Sequence, residues 1–266
     1  MCVYFQNSCT TNYRFIVRRQ LFKSFQFIYN SYLFLALIAG ISVWQISMGN
    51  TYYALLCSLS VFLTYNALRY YKSRENALSS ELEIWWNSNR RILFTMMLGV
   101  LLSIIFIIIL DLHFWIKQWI EFGVALVSLT FYHVFSFRKI PLVKNLLIVL
   151  VWTLVAVYVP TGSNLVLPFF LIFLSLSIQS DIKDLERDDF STFAKILGRT
   201  ASIVVVNFLI VVSLLIFHFL NHLTVLQCLI VFFSFTLLQK ISLKSKNFGE
   251  LSDLVLLIVI FCLQVR

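Results

Sequence analysis

Charge is scarce in this chain. Only 12% of its 266 residues are charged, 60% are hydrophobic, and the mean hydropathy is +0.89. A soluble domain of this length has no core large enough to hide so much apolar surface, so lipid must solvate it. Glycine and proline are few, at seven and three. That leaves no Gly-x-Ser-x-Gly turn or phosphate-cradling glycine loop, and little material for the broken midplane helices of a transporter. The five cysteines (Cys2, Cys9, Cys57, Cys228 and Cys262) make no CxxC pair, and three sit inside apolar runs. This argues against a disulfide framework or a zinc site. The four histidines (His113, His133, His218 and His222) are too few for a membrane di-iron centre. His218 and His222, at i and i+4, read instead as interfacial side chains at an outer turn. No small-residue cleavage pattern precedes the first apolar run, so no cleavable signal peptide is expected.

What the chain does have is long apolar runs. Only helices and closed barrels satisfy their backbone groups in hydrocarbon, and runs such as Ile92–Leu110 lack the alternation of barrel strands. The expected fold is an all-α membrane bundle of about nine helices forming one domain over residues 1–266, with 1–26 as a cytoplasmic tail. The spans fall near Phe27–Met48, Tyr52–Tyr70, Ile92–Leu110, Ile116–Phe135, Leu142–Val159, Leu165–Asp181, Ala201–Leu220, Leu223–Gln239 and Leu251–Leu263. On that layout 19 of the 21 Lys and Arg lie on one side, leaving Lys117 and Arg266 opposite. The positive-inside rule then puts the N-terminus in the cytoplasm, and the expected location is a bacterial plasma membrane. The same placement accounts for the net charge of +9 without nucleic acid. The long inner connection Lys72–Asn89 carries Trp85 and Trp86 among charges and suits a short amphipathic helix at the interface.

Acids are sparse, yet five of the twelve crowd into residues 181–189 at the end of the sixth run. Asp181, Asp184 and Asp188 stand at i, i+3 and i+7, one face of a helix. Three carboxylates on a face call for a counter-charge, and Mg²⁺, a hard cation often shared with a substrate phosphate, fits. Local pairing with Lys183, Arg187 and Lys195 is the plainer reading. A second cluster ends the second span, where Asn66 and Arg69 share a face one turn apart. A polar Asn66 within the bilayer implies either an interhelical hydrogen bond or a ligand. A third, Tyr132-His-Val-Phe-Ser-Phe-Arg-Lys139-Ile-Pro-Leu-Val-Lys144-Asn145, is basic at a span's exit. Such residues set topology, and Arg and Lys also clamp diphosphates.

Taken in order, these three segments resemble the UbiA-type intramembrane prenyltransferase superfamily, most specifically where Asp181-Ile-Lys-Asp-Leu-Glu-Arg-Asp188 leads into Lys195-Ile-Leu-Gly198. The resemblance implies Mg²⁺-dependent transfer of a prenyl group from a polyprenyl diphosphate to a lipophilic acceptor. It implies Asp181, Asp184 and Asp188 as metal ligands, and Asn66, Arg69, Arg138, Lys139 and Lys144 around the diphosphate. The Tyr132 ring could stabilise the allylic cation, the plainer reading being an aromatic anchor at a span end. The family's first motif, Asn-x-x-x-Asp-x-x-x-Asp, is degenerate here, because Tyr70 and Arg74 occupy its two Asp positions. Either an arginine neutralises the diphosphate where a metal would, or the chain holds an isoprenoid lipid without turning it over. A small-molecule transporter is the rival from another class, but the ionisable residues gather at span ends rather than at the midplane. The acceptor, the prenyl chain length and the oligomeric state carry no signal in the sequence.

Overall fold

The computed structural model describes residues 26–28, 30–74, 80–134, 140–162, 164–183, 185, 191–244 and 253–264. Among these residues every regular element is helical and no strand occurs. In chain order the helices are α1 (Leu33–Ile46), α2 (Thr51–Arg74), α3 (Ser80–Leu110), α4 (Leu112–Lys117), α5 (Trp119–Val134) and α6 (Val143–Thr161). They continue with α7 (Val166–Lys183), α8 (Phe193–Leu197), α9 (Arg199–Phe219), α10 (Val225–Lys244) and α11 (Leu254–Gln264). Six are long and apolar enough to cross a bilayer: α2 over Thr51–Tyr71, α3 over Glu83–Leu110, and α6, α7, α9 and α10. The chain is therefore a helical, multi-pass membrane protein.

Within the described residues, three of the nine expected spans are shorter than a bilayer requires. α1 has 14 residues and α11 has 11, so they rise about 21 and 16 Å against a hydrocarbon core of about 30 Å. The expected span Phe27–Met48 breaks at Ser31–Tyr32, where Tyr32 adopts φ 58° and ends the helical path before α1 begins. Ile116–Phe135 is also divided. Gln118 separates α4 from α5 at φ −104° and ψ 18°, and the Asp111 carboxylate caps α4 by accepting from the Phe114 N–H at 3.4 Å. No separate interfacial helix occupies Lys72–Asn89 within the described residues. Lys72 belongs to α2, and Ser80–Asn89 is the opening of the 31-residue α3. Trp86 is fully buried there rather than set among headgroups.

The chain divides into two compact units, one of Met1–Leu37 with Ser58–Ile105, the other of Ile38–Cys57 with Phe106–Arg266. In the larger unit α7 packs most extensively on α9. Ser175, Ser202 and Ser213 are buried along this pair, small residues of the kind that let helices approach closely in lipid. The Ser213 hydroxyl donates to the Pro168 carbonyl at 2.8 Å, and Phe169 meets Phe217 edge to face at 5.3 Å. α9 is apolar on both sides. Val206, Ile210, Leu214 and Phe217 face inward, while Val204, Phe208, Val211 and Leu215 are exposed. An all-round apolar helix with an exposed stripe is one that contacts lipid.

α6 contains a π-helical turn over Thr153–Tyr158, in which the Val159 N–H reaches the Leu154 carbonyl. The turn adjoins Pro160, whose ring nitrogen has no hydrogen to donate, and such single-turn bulges relieve the α-register. The Tyr53 hydroxyl donates to the Val155 carbonyl inside the turn. The Tyr53 ring lies in a group with Phe114, Trp115 and Phe122.

Candidate functional site

One cluster of buried polar groups in the larger unit lies where α6 begins and α7 ends. Asp181 is 1% exposed in the last turn of α7. Both of its oxygens are held from α6: Lys144 Nζ reaches Oδ1 at 2.5 Å, and Asn145 Nδ2 donates to Oδ2 at 3.1 Å. Lys144 keeps 18% of its side chain exposed, so it is the less buried partner of the pair. Asn145 is fully buried, and its Oδ1 has no hydrogen-bond partner.

The backbone explains how Lys144 and Asn145 are delivered. Leu142 has φ 66° and ψ −45°, and the Val143 N–H bonds the Pro141 carbonyl at 2.8 Å. This is a γ-turn with positive φ, a strained geometry for any residue with a Cβ. Pro141 fixes the chain entering it, and α6 starts at the next residue, with Lys144 and Asn145 in its first turn.

A second polar connection in the same unit joins α7, α9 and α10. Gln239 Nε2 donates to Gln179 Oε1 at 2.9 Å, and Asn207 Nδ2 donates to Gln239 Oε1 at 3.4 Å and to the Ile203 carbonyl at 2.9 Å. Gln179 Nε2 and Asn207 Oδ1 have no partner. Buried amides among apolar helices tie spans together because unmade hydrogen bonds are costly in lipid.

Of the expected site residues, the structure brings together Asp181 and Lys144, which are 37 positions apart. Asp184, Asp188, Arg138 and Lys139 lie outside the described residues, and so does the side chain of Tyr132. No group of three His, Cys, Asp or Glu side chains that could hold a metal occurs among the described residues. Asn66 and Arg69 belong to the smaller unit. Asn66 is fully buried, and its Nδ2 donates to the Ser31 and Phe62 carbonyls, each at 2.8 Å. It therefore satisfies the carbonyl freed where the chain breaks at Ser31–Tyr32, and its donors are already used. Arg69 is 7% exposed and stacks on Tyr32, with its guanidinium carbon 4.2 Å from the ring centroid.

Asn145, Gln179, Asn207 and Gln239 were not among the expected site residues. The signal that finds them is a carboxamide inside an apolar helix, where a polar group needs a partner or a task. His218 has a local role, with Nδ1 2.9 Å from the Leu223 carbonyl at the turn after α9. Against known proteins, no family model, no curated sequence and no solved structure matches the chain.

Proposed function

We propose that the protein is an intramembrane prenyltransferase of nine membrane-crossing segments, acting on a polyprenyl diphosphate and a lipophilic acceptor at its cytoplasmic face. The observation that carries the reading is the buried Asp181–Lys144 pair, completed by Asn145. The resemblance implies Asp181 at the metal and Lys144 at the diphosphate, and the two side chains meet where α6 begins and α7 ends. A carboxylate beside an ammonium is complementary to a metal diphosphate. The carboxylate would face the cation and the ammonium would face the phosphate, each exchanging one partner for another of the same sign.

The donor set suits Mg²⁺ in kind. Asp181 and the unpartnered Asn145 Oδ1 are hard oxygen donors, and Asp184 and Asp188 would supply the remaining carboxylates. Bound there, Mg²⁺ would neutralise the diphosphate as a leaving group. Lys144, Arg138 and Lys139 would hold the phosphate oxygens. In the transfer itself the bond from C1 to the diphosphate oxygen breaks with its electron pair leaving on oxygen. The acceptor's electrons form the new bond to C1, and the acceptor releases a proton.

The second reading, an isoprenoid binder without turnover, is favoured by Tyr70 and Arg74 in place of carboxylates and by the commitment of Asn66 to backbone carbonyls. Binding of farnesyl diphosphate to the purified protein in detergent, with Mg²⁺ or with EDTA, tests the site for wild type, Asp181→Asn and Asp184→Asn. Mg²⁺-dependent binding that weakens at least tenfold in both variants is expected. Binding indifferent to Mg²⁺ and to both substitutions would favour the non-catalytic lipid binder. No binding under any condition would remove the prenyltransferase reading.

A further inference from the structure

Asp181 stands two residues from the end of α7, in the last turn, where a helix frays most readily because its carbonyls lack helical partners. Apolar packing, here by Ile178 and Ile182, holds such a turn against its neighbours but is not directional. Hydrogen bonds fix its rotation. Lys144 and Asn145 of α6 supply them on one face, at Asp181 itself. Gln179 takes one on the opposite face, since two residues turn a helix by about 200° and raise it by about 3 Å.

Gln179 is buried, and among the described residues its side chain makes a single hydrogen bond. Its Oε1 accepts from Gln239 Nε2 at 2.9 Å, and its Nε2 has no partner. Gln239, buried on α10, accepts in turn from Asn207 Nδ2 at 3.4 Å. Asn207 lies in the body of α9, the helix that packs most extensively on α7. The two links run in series through Gln239, so its loss breaks both. The end of α7 is therefore gripped from two sides, by an ion pair and an amide toward α6 and by an amide chain toward α10 and α9.

We propose that Gln239 is a positioning residue for Asp181: through Gln179 it sets the rotation of the last turn of α7, and so the aim of the carboxylate toward α6. One consequence rests on the prenyltransferase reading. There Lys144 would turn from Asp181 to a phosphate oxygen as the metal diphosphate binds, and the grip from α6 would slacken. The amide chain involves no charge and no ligand, so it would still hold the carboxylate in place for Mg²⁺. Gln239 would then govern affinity for the metal rather than for the isoprenoid chain.

Two readouts test this, and the first needs no ligand. The coupling between Lys144 and Asp181 is measured by thermal unfolding of Lys144→Met, Asp181→Asn and their double variant, in wild-type and Gln239→Leu backgrounds. Leucine keeps the packing and removes the amide. Coupling is expected to fall by at least half in Gln239→Leu. Gln179→Leu is expected to act alike, and the two together no more than either, because they break the same link. Gln179→Leu also carries the test should Gln239→Leu fail to fold. Gln227→Leu is the control. It removes a different tie made by α10, from Gln227 Nε2 to the Cys262 carbonyl at 2.8 Å, and is expected to leave the coupling unchanged. The second readout is Mg²⁺ titration of farnesyl diphosphate binding in detergent. Gln239→Leu is expected to need several-fold more Mg²⁺ for half-maximal binding, with little change in affinity once Mg²⁺ saturates. Wild-type coupling in Gln239→Leu would overturn the proposal, as would an equal loss in Gln227→Leu or additive losses from Gln179→Leu and Gln239→Leu. An unchanged Mg²⁺ midpoint beside a wild type that binds would overturn it as well. Failure of the wild type to bind farnesyl diphosphate would remove the prenyltransferase reading alone, and the coupling would then decide the role of Gln239.

Discussion

At the residue scale, the pairing of Lys144 with Asp181 governs both stability and chemistry. Asp181 is 1% exposed, and among the described residues removing its cation would leave a carboxylate with only the Asn145 amide. Breaking such a pair from one side costs more than deleting both charges. Lys144→Met is therefore expected to destabilise the protein by about 2–3 kcal/mol, allowing for the partial exposure of the lysine. The double variant Lys144→Met with Asp181→Asn should recover most of that loss. Thermal unfolding of the four proteins in detergent measures the coupling, and single-variant losses that simply add in the double variant would mean the ion pair contributes nothing. Asp181 was legible as a candidate in the sequence because a carboxylate at the end of an apolar run is conspicuous. Lys144 was legible as a basic residue at a span's exit. Their contact was not, because it joins positions 37 apart and leaves no local periodicity. Asn66 shows the converse. Its burial follows from its place in an apolar run, but a side chain that closes a helix break looks the same in sequence as one that waits for a ligand.

At the element scale, hydropathy located the helices and missed their interruptions, since it counts apolar side chains and carries nothing about dihedral angles. Tyr32 and Leu142 take positive φ with no glycine to announce it, and the π-turn in α6 is written in residues as apolar as their neighbours. Leu142 is the case with consequences, because its γ-turn sets Lys144 and Asn145 against Asp181. Its side chain is 41% exposed, so substitution removes little packing and reports mainly on the backbone. A β-branched residue at positive φ is more strained than leucine, and glycine is unstrained. Leu142→Val should lower stability by about 1–2 kcal/mol. Leu142→Gly should hold it or raise it by up to about 1 kcal/mol, the relief of strain being set against the freer unfolded chain. Melting curves that fail to separate Val from Gly would show that the turn does not constrain α6. If the turn also positions the site, Leu142→Val should weaken Mg²⁺-dependent diphosphate binding in step with its loss of stability.

At the scale of the whole molecule, membrane topology is the property on which the sequence and the helix lengths part. Charge alternation calls for nine crossings, and length with hydropathy identifies six helices able to cross among the described residues. The two counts make opposite statements about one pair of positions. Between Asn50, in the turn before α2, and Lys195, in α8, lie the crossing segments of α2, α3, α6 and α7. Four crossings return the chain to the side it left. If α5 also crosses, the count is five, and Asn50 and Lys195 lie on opposite sides. α5 has 16 residues and rises about 24 Å, short of a full hydrocarbon core but within what local bilayer thinning tolerates at modest cost. The charges favour crossing, since Lys117 lies before α5 and the basic cluster from Arg138 to Lys144 follows it. Single cysteines at Asn50, Lys195 and Asn221 in a cysteine-free background, labelled with an impermeant maleimide on intact cells, therefore read the count directly. Nine crossings with the N-terminus inside predict that Asn50 and Asn221 react and that Lys195 reacts only after permeabilisation. Asn221 is separated from Lys195 by α9 alone, so it must differ from Lys195 under either count and serves as the internal reference. If Asn50 follows Lys195 rather than Asn221, α5 lies within the membrane without crossing it. The Lys144–Asp181 pair would then belong to a shorter bundle than the one the charge pattern calls for.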